Sequence, residues 1–238
     1  SLLPSLRHAP ATVLPLALVD SPFSRWGAGQ VRTLGSWSIG SALRAAADRI
    51  KSCDSPSYTY VYLPHVDSKC HELGVNASGV ASTVVDIDRQ LAALRAELGS
   101  DVRLLVSADH GLNDLPPSAA YPLHAEEALA KLLRCPPTGE SVQPYFHVQS
   151  GRADAFRAAF EERFGAIFAL LDVNEVEALQ LFGPQLGPVA RARIGDFVAI
   201  APTPAGIYYV PPGGRVQALV GVHGGLRPAE MNVPLFMC

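Results

Sequence analysis

Three short stretches of this 238-residue chain carry side chains suited to divalent metal: Asp67-Ser68-Lys69-Cys70-His71, Asp109-His110-Gly111 and Val222-His223-Gly224-Gly225. Carboxylate oxygens and imidazole nitrogens are usual donors to Zn²⁺ and Mn²⁺. A carboxylate beside an imidazole is costly to desolvate unless a cation lies next to them. Three separate segments can supply two neighbouring ions. A two-metal site polarises phosphate oxygens and activates a nucleophile for in-line displacement. D-x-x-x-H places both side chains on one face of a helix, where i and i+4 are neighbours. As patterns, D-x-x-x-H and H-G-G are common, and D-H-G after a strand is more specific. Spacing alone does not show that the three segments converge.

The elements that must position these residues are readable. Val102 to Val106 is a short apolar run ended by Gly111, which fits a core strand of an α/β sheet. In such sheets chemistry sits beyond the carboxyl ends of the strands, where Asp109 and His110 fall. Tyr58 to Leu63 is rich in β-formers and stops at Pro64, with Asp67 and His71 directly after it. Between the two strands the stripe Val80, Val84, Ile87, Leu91, Leu94, Leu98 predicts a long helix from about Asn76 or Ser78, closed by Gly99. This β-α-β unit predicts a parallel pair with a right-handed crossover. Upstream, residues 2–8 read as a short helix, 12–19 as a strand and 20–35 as a loop. Ser36 then caps a helix with Ile39, Leu43, Ala46 and Ile50 on one face. Downstream, a helix is expected over 125–133, a strand over 145–149, a helix over 153–164 and a strand over 166–171. Asp172 and Glu175 form a capping box for a helix to about Phe182. Strands over 197–201 and 206–210 follow, then a Pro-Gly turn, a glycine-rich loop with His223, and an apolar end over 233–237. The fold class is therefore α/β: a mostly parallel sheet flanked by helices over 1–115 and 189–238, with a small inserted α+β subdomain over 116–188.

Composition narrows the function classes. The chain is 48% hydrophobic and 17% charged, which fits a globular protein. Its net charge of -3 gives no basic surface for nucleic acid. No apolar run reaches the length of a membrane span. Four widely spaced cysteines with no C-x-x-C argue against a disulfide framework and a Cys-rich zinc site. They point to the cytoplasm without excluding the periplasm. Oligomeric state is not readable. The chain lacks an initiator Met and a signal-peptide pattern.

Taken in order, the motifs resemble a known family. Tyr60-Val61-Tyr62-Leu63-Pro64-His65-Val66-Asp67 with His71 and Gly74, then Ser107-Ala108-Asp109-His110-Gly111, then Val222-His223-Gly224-Gly225-Leu226 with Glu230-Met231 and Val233-Pro234, resemble the type I phosphodiesterase/nucleotide pyrophosphatase family of the alkaline phosphatase superfamily. Arg193-Ile194-Gly195-Asp196 extends the likeness. The resemblance implies an alkaline-phosphatase-like fold and a metal-dependent phosphohydrolase acting on a phosphate-ester or nucleotide small molecule. It implies two divalent ions, Zn²⁺ first and Mn²⁺ as the alternative. Asp67, His71 and His223 would bind one ion, and Asp109 and His110 the other. In the family the second ion also takes an Asp and a nucleophilic Thr or Ser from an N-terminal segment, and a covalent phospho-enzyme forms and is hydrolysed by water. No such pair is found here, because Ser1, Ser5 and Thr12 lie too near the chain start. The chain is expected to be a fragment without normal catalytic activity and with an exposed sheet edge.

Other readings stand beside these. As the weaker alternatives, Asp109-His110 reads as a capping Asp and a core His, Asp67 and His71 as a solvated helix start, and His223 as a loop residue between turn glycines. His65 is either a contact near the site or an ordinary loop residue. His8, His124 and His147 read as structural or surface, and Cys70 as packing. Asp114 and Glu230 are candidates to orient ligands from behind, or plain surface residues. A phosphomonoesterase, phosphonate hydrolase or phosphomutase of the same superfamily would carry the same motifs. A chain that kept the fold and lost the nucleophile would be a non-catalytic metal-binding or interaction protein.

Overall fold

Ala11, Thr12, Val13 and Leu14 are all buried, as a strand covered on both faces requires. In the computed structural model, which describes residues 3–238, they belong to the central strand of a parallel three-stranded sheet. Pro10–Pro15 runs between Arg32–Ser36 on one side and Tyr58–Val61 on the other. Ser1, named above among the hydroxyls, and Leu2 lie outside the described residues. Leu3–Ser5 is a single 3₁₀ turn.

The chain divides into two compact units, and this sheet belongs to the first: Ser1–Lys69, Asn76–Val106 and Leu235–Cys238. Helix Ile39–Lys51 turns Ile39, Ala42, Leu43, Ala46 and Ala47 inward at helical spacing. It meets Leu94 near the end of the 20-residue helix Ser78–Glu97 and Leu98, the residue that caps it. Glu97 accepts hydrogen bonds from Arg44 (2.9 Å) and Lys51 (2.5 Å) across these two helices.

Four expectations for this unit need correction. The strand expected over 12–19 ends at Pro15, whose ring fixes the backbone, and Leu16–Val19 is a helical turn. The expected loop over 20–35 contains helix Pro22–Ala28, with Ser21 accepting the Ser24 N–H and proline in the first turn. It also contains strand Arg32–Ser36. Ser36 is not the cap of the next helix: its hydroxyl donates to Leu14 O (3.1 Å), and Ser38 caps instead, in a reciprocal box with Ser41. Finally, Tyr58–Val61 pairs with Pro10–Pro15, whereas Leu105–Ser107 pairs with Leu235–Met237. A β-α-β crossover sets handedness but leaves open which strands become neighbours.

The second unit is Cys70–Val75 with Ser107–Pro234. Its sheet is antiparallel in the order Thr138–Glu140, Gln143–Phe146, Phe197–Ile200, Ala169–Asp172. Helix Ala153–Phe164 packs Phe156, Phe160 and Phe164 against Phe146, Phe168 and Phe197, all essentially inaccessible to solvent. Ring centroids lie 5.2 to 6.2 Å apart along this cluster, the range of favourable aromatic pairs. The capping box at Asp172 forms: its carboxylate accepts from Asn174 and Glu175, and its own N–H donates to Glu175 (2.7 Å). The helix it opens ends at Ala178, before the left-handed Gln180, and not near Phe182. The helix expected over 125–133 reduces to one 3₁₀ turn, Ala130–Leu132. Tertiary partners take its backbone groups: Ala125 N–H donates to Val210 O, and Leu133 O accepts from Gln149. Arg193-Ile194-Gly195-Asp196 is a corner. Gly195 has φ +81° with Phe146 O where a side chain would sit, and Asp196 accepts from Val148 N–H (2.6 Å) and Arg134 (3.2 Å). Two two-stranded ladders complete the unit: Gly206–Val210 parallel to Ala120–His124, and Gly221–Val222 antiparallel to Asn113–Asp114.

Candidate metal centre

Asp109 and His110 occupy the short connection between strand Leu105–Ser107 and the two-residue strand Asn113–Asp114. The ladder pairs Val222 with Asn113 and Gly221 with Asp114. Running antiparallel, it returns His223 to the loop that holds His110. The two imidazoles stack with centroids 3.7 Å apart and planes 17° apart. His71 lies 5.1 Å from His223 by centroid. Three histidines from sequence positions 71, 110 and 223 thus converge within the second unit.

The backbone orients two of them. A carbonyl oxygen only accepts, so the 2.8 Å contact of His71 Nδ1 with Gly221 O requires the proton on Nδ1. The same holds for His110 Nδ1 with Gly111 O at 3.0 Å. Each ring is thereby anchored through Nδ1 and turns Nε2 away from the carbonyl, which is how a metal-bound histidine is usually held from behind. Asp109 Oδ1 lies 3.7 Å from His110 Nε2, with its carboxylate largely exposed. A carboxylate and an imidazole lone pair facing one point suit a cation between them, so the donor set fits a divalent metal.

The glycines are explained by close approach. A Cβ at Gly111 would sit 2.0 Å from Ala229 O, and one at Gly221 would sit 2.5 Å from Cys70 O. Cys70 is buried against this contact, which agrees with a packing role. Helix His65–Leu73 carries Asp67 in its first turn and His71 one turn later, on the same face. Its end is stitched down by Val220 N–H to His71 O (3.0 Å) and by Asp114 Oδ1, which accepts the Val75 N–H (2.6 Å). Asp114 therefore anchors the turn after His71. Glu230, only 4% exposed, accepts from Gly225 N–H and lies beside Arg227. Sequence alone does not reveal that Gly221 and Asp114 fix His71, because both act through backbone partners far away in the chain.

Among known proteins, the model of the family described as type I phosphodiesterase / nucleotide pyrophosphatase matches residues 19–224. Of solved structures, murine ectonucleotide pyrophosphatase / phosphodiesterase 5 is similar at 18% identity and a TM-score of 0.66, covering 97% of this chain and 60% of its own. The human protein of the same name gives 16% identity and 0.69, with the same coverage. Phosphonoacetate hydrolase from Sinorhizobium meliloti, in complex with phosphonoformate, gives 15% and 0.63, covering 97% and 65%. These likenesses show the expected alkaline-phosphatase-like α/β fold. The chain spans roughly 60% of the length of these structures. No curated protein sequence matches it.

Proposed function

The chain belongs to the type I phosphodiesterase / nucleotide pyrophosphatase family, and on that premise we propose that it carries the metal-binding residues of a hydrolase for phosphodiester or pyrophosphate bonds in nucleotide-like small molecules. The observation that carries this reading is the convergence of His71, His110 and His223, two of them fixed with Nε2 presented. In the proposal Asp67, His71 and His223 hold one divalent ion, and Asp109 and His110 hold a second, with Zn²⁺ preferred over Mn²⁺. Such a pair of ions, when bound, supplies Lewis-acid polarisation of phosphate oxygens and activation of a nucleophile.

The chain's own residues do the positioning. Gly221 O and Gly111 O fix the tautomers of His71 and His110 and so their lone-pair directions. The exposed Asp109 carboxylate adds negative charge beside His110. The proposal assigns metal ligands, and no nucleophile, among the described residues. A similar protein, the murine phosphodiesterase 5, has been solved as an inactive variant with AMP, which supports a nucleoside monophosphate as part of the substrate.

Elemental analysis after dialysis, with hydrolysis of aryl phosphodiester, phosphomonoester and phosphonoacetate by the full-length protein, tests the proposal. Bound zinc and a preference for the diester are expected. A full-length protein that retains no divalent metal and cleaves no phosphate ester would overturn it.

A further inference from the structure

We infer that Glu230 is a positioning residue that clamps the two loops carrying His110 and His223 to one another. The proposal rests on the metal-centre reading above for its purpose, and on separate contacts for its geometry. Glu230 reaches both loops. Its backbone carbonyl accepts the Gly111 N–H at 2.8 Å, one residue after His110. Its carboxylate Oε1 accepts the Gly225 N–H at 3.1 Å, two residues after His223. The carboxylate is 4% exposed, with Arg227 Nε 3.4 Å from Oε2. A buried carboxylate is retained only where it is paired and hydrogen-bonded, and here both conditions are met by one guanidinium and one loop N–H.

The glycines of both motifs agree with this arrangement. A Cβ at Gly111 would strike Ala229 O at 2.0 Å, and a Cβ at Gly225 would strike Glu230 Oε2 at 2.8 Å. The short helical turn Pro228–Met231 therefore presses on D-H-G through its backbone and on H-G-G through its carboxylate. The ladder is only two residue pairs long and ends before both loops. Glu230 supplies the second tie, and two ties fix the 3.7 Å stacking of His110 on His223.

The test compares the full chain with Glu230→Ala, Glu230→Gln and Glu230→Asp. The metal-free readout is the ring-proton NMR spectrum at about pH 8, well above the ordinary imidazole pKa of about 6.5. Glu230→Ala is expected to move the His110 and His223 signals together, with the His71 signals moving less because Gly221 O holds that ring. Glu230→Gln keeps an oxygen acceptor for Gly225 and is expected to restore the wild-type shifts. The second readout is Co²⁺ affinity followed by the visible spectrum. Loss of a group behind a ligand lowers affinity about 10–100-fold, which is expected for Glu230→Ala and not for Glu230→Gln. If Glu230→Ala does not fold, Glu230→Asp withdraws the carboxylate by one carbon and is expected to shift both rings in the same way. Unchanged His110 and His223 signals in a folded Glu230→Ala or Glu230→Asp variant would overturn the clamp. A wild-type chain that fails to take up Co²⁺ would count against the proposed function, and the ring-proton spectrum would still decide the clamp.

Discussion

Gly221→Ala puts a single methyl where the metal centre is held from behind. The added Cβ would lie 2.5 Å from Cys70 O and 2.9 Å from Cys70 C, against an ordinary contact of at least 3.4 Å. Both partners are backbone, so no side chain can swing away. The strand and the helix end must separate by about 0.9 Å along that contact. His71 Nδ1 and Gly221 O, now 2.8 Å apart, would then approach 3.5 Å or more, beyond hydrogen-bond range. Overpacking costs about 1–3 kcal/mol and the lost hydrogen bond about 0.5–1.5 kcal/mol, so destabilisation of about 1.5–4.5 kcal/mol is expected. His71 also loses the partner that fixes its tautomer, which lowers Zn²⁺ affinity about 10–100-fold. Urea unfolding, hydrogen exchange of the 71–75 and 220–222 amides, and a competitive zinc titration measure the three effects. Gly27→Ala is the control, because nothing lies within 4 Å of its Cβ position and it sits in a helix. There a gain of about 0.5–1 kcal/mol is expected. A Gly221→Ala protein with wild-type stability and zinc affinity would refute the claim that this close approach holds His71.

Phe160→Ala removes the middle ring of the aromatic cluster and is expected to destabilise the protein by about 3–5 kcal/mol in urea unfolding. Burial pushes the Tyr208 hydroxyl above its ordinary value of 10.0, with Ser141 partly offsetting the shift. The neutral form is therefore favoured in the folded state: this stability is fully present below about pH 10 and is lost as pH rises through the folded value. Tyr208→Phe is expected to flatten the alkaline unfolding curve, at a cost of about 0.5–1.5 kcal/mol at neutral pH for the bond with Ser141, both measured by circular dichroism.

The sequence was most legible where a pattern is local. The stripe from Val80 to Leu98 became helix Ser78–Glu97, and Asp172 with Glu175 closed their box, because both are decided within one or two helical turns. Arg32–Ser36 was hidden because it is an edge strand with mixed burial and a glycine, so it shows no alternation. The Ser21-Pro22 start of a helix was readable, but its residues Phe23 and Trp26 stay exposed and form no apolar stripe. Residues 129, 130, 132 and 133 are all buried at a spacing that fits one helix face, but Leu132 O and Leu133 O accept from Gln149 and the Arg134 N–H donates to His147 O, so distant partners end the helix after one turn. For the candidate metal centre, residue types pointed to the candidate donors. Their convergence depends on the pairing of Val222 with Asn113, over one hundred residues apart, and no local signal records that register.

The hydrogen bond between His71 and Gly221 joins residues 150 positions apart. Bringing the ends of a flexible loop of that length together costs roughly 4 kcal/mol in chain entropy, more than one such bond returns. The histidines therefore cannot gather first and wait for the rest. The phenylalanine cluster lies within that interval and shortens the effective loop as it folds. The order of assembly that follows is aromatic core first, then the 113–114 and 221–222 ladder, and the histidines last. Metal added during refolding is accordingly expected to slow unfolding far more than it speeds folding, since the contacts it stabilises are absent from an early transition state.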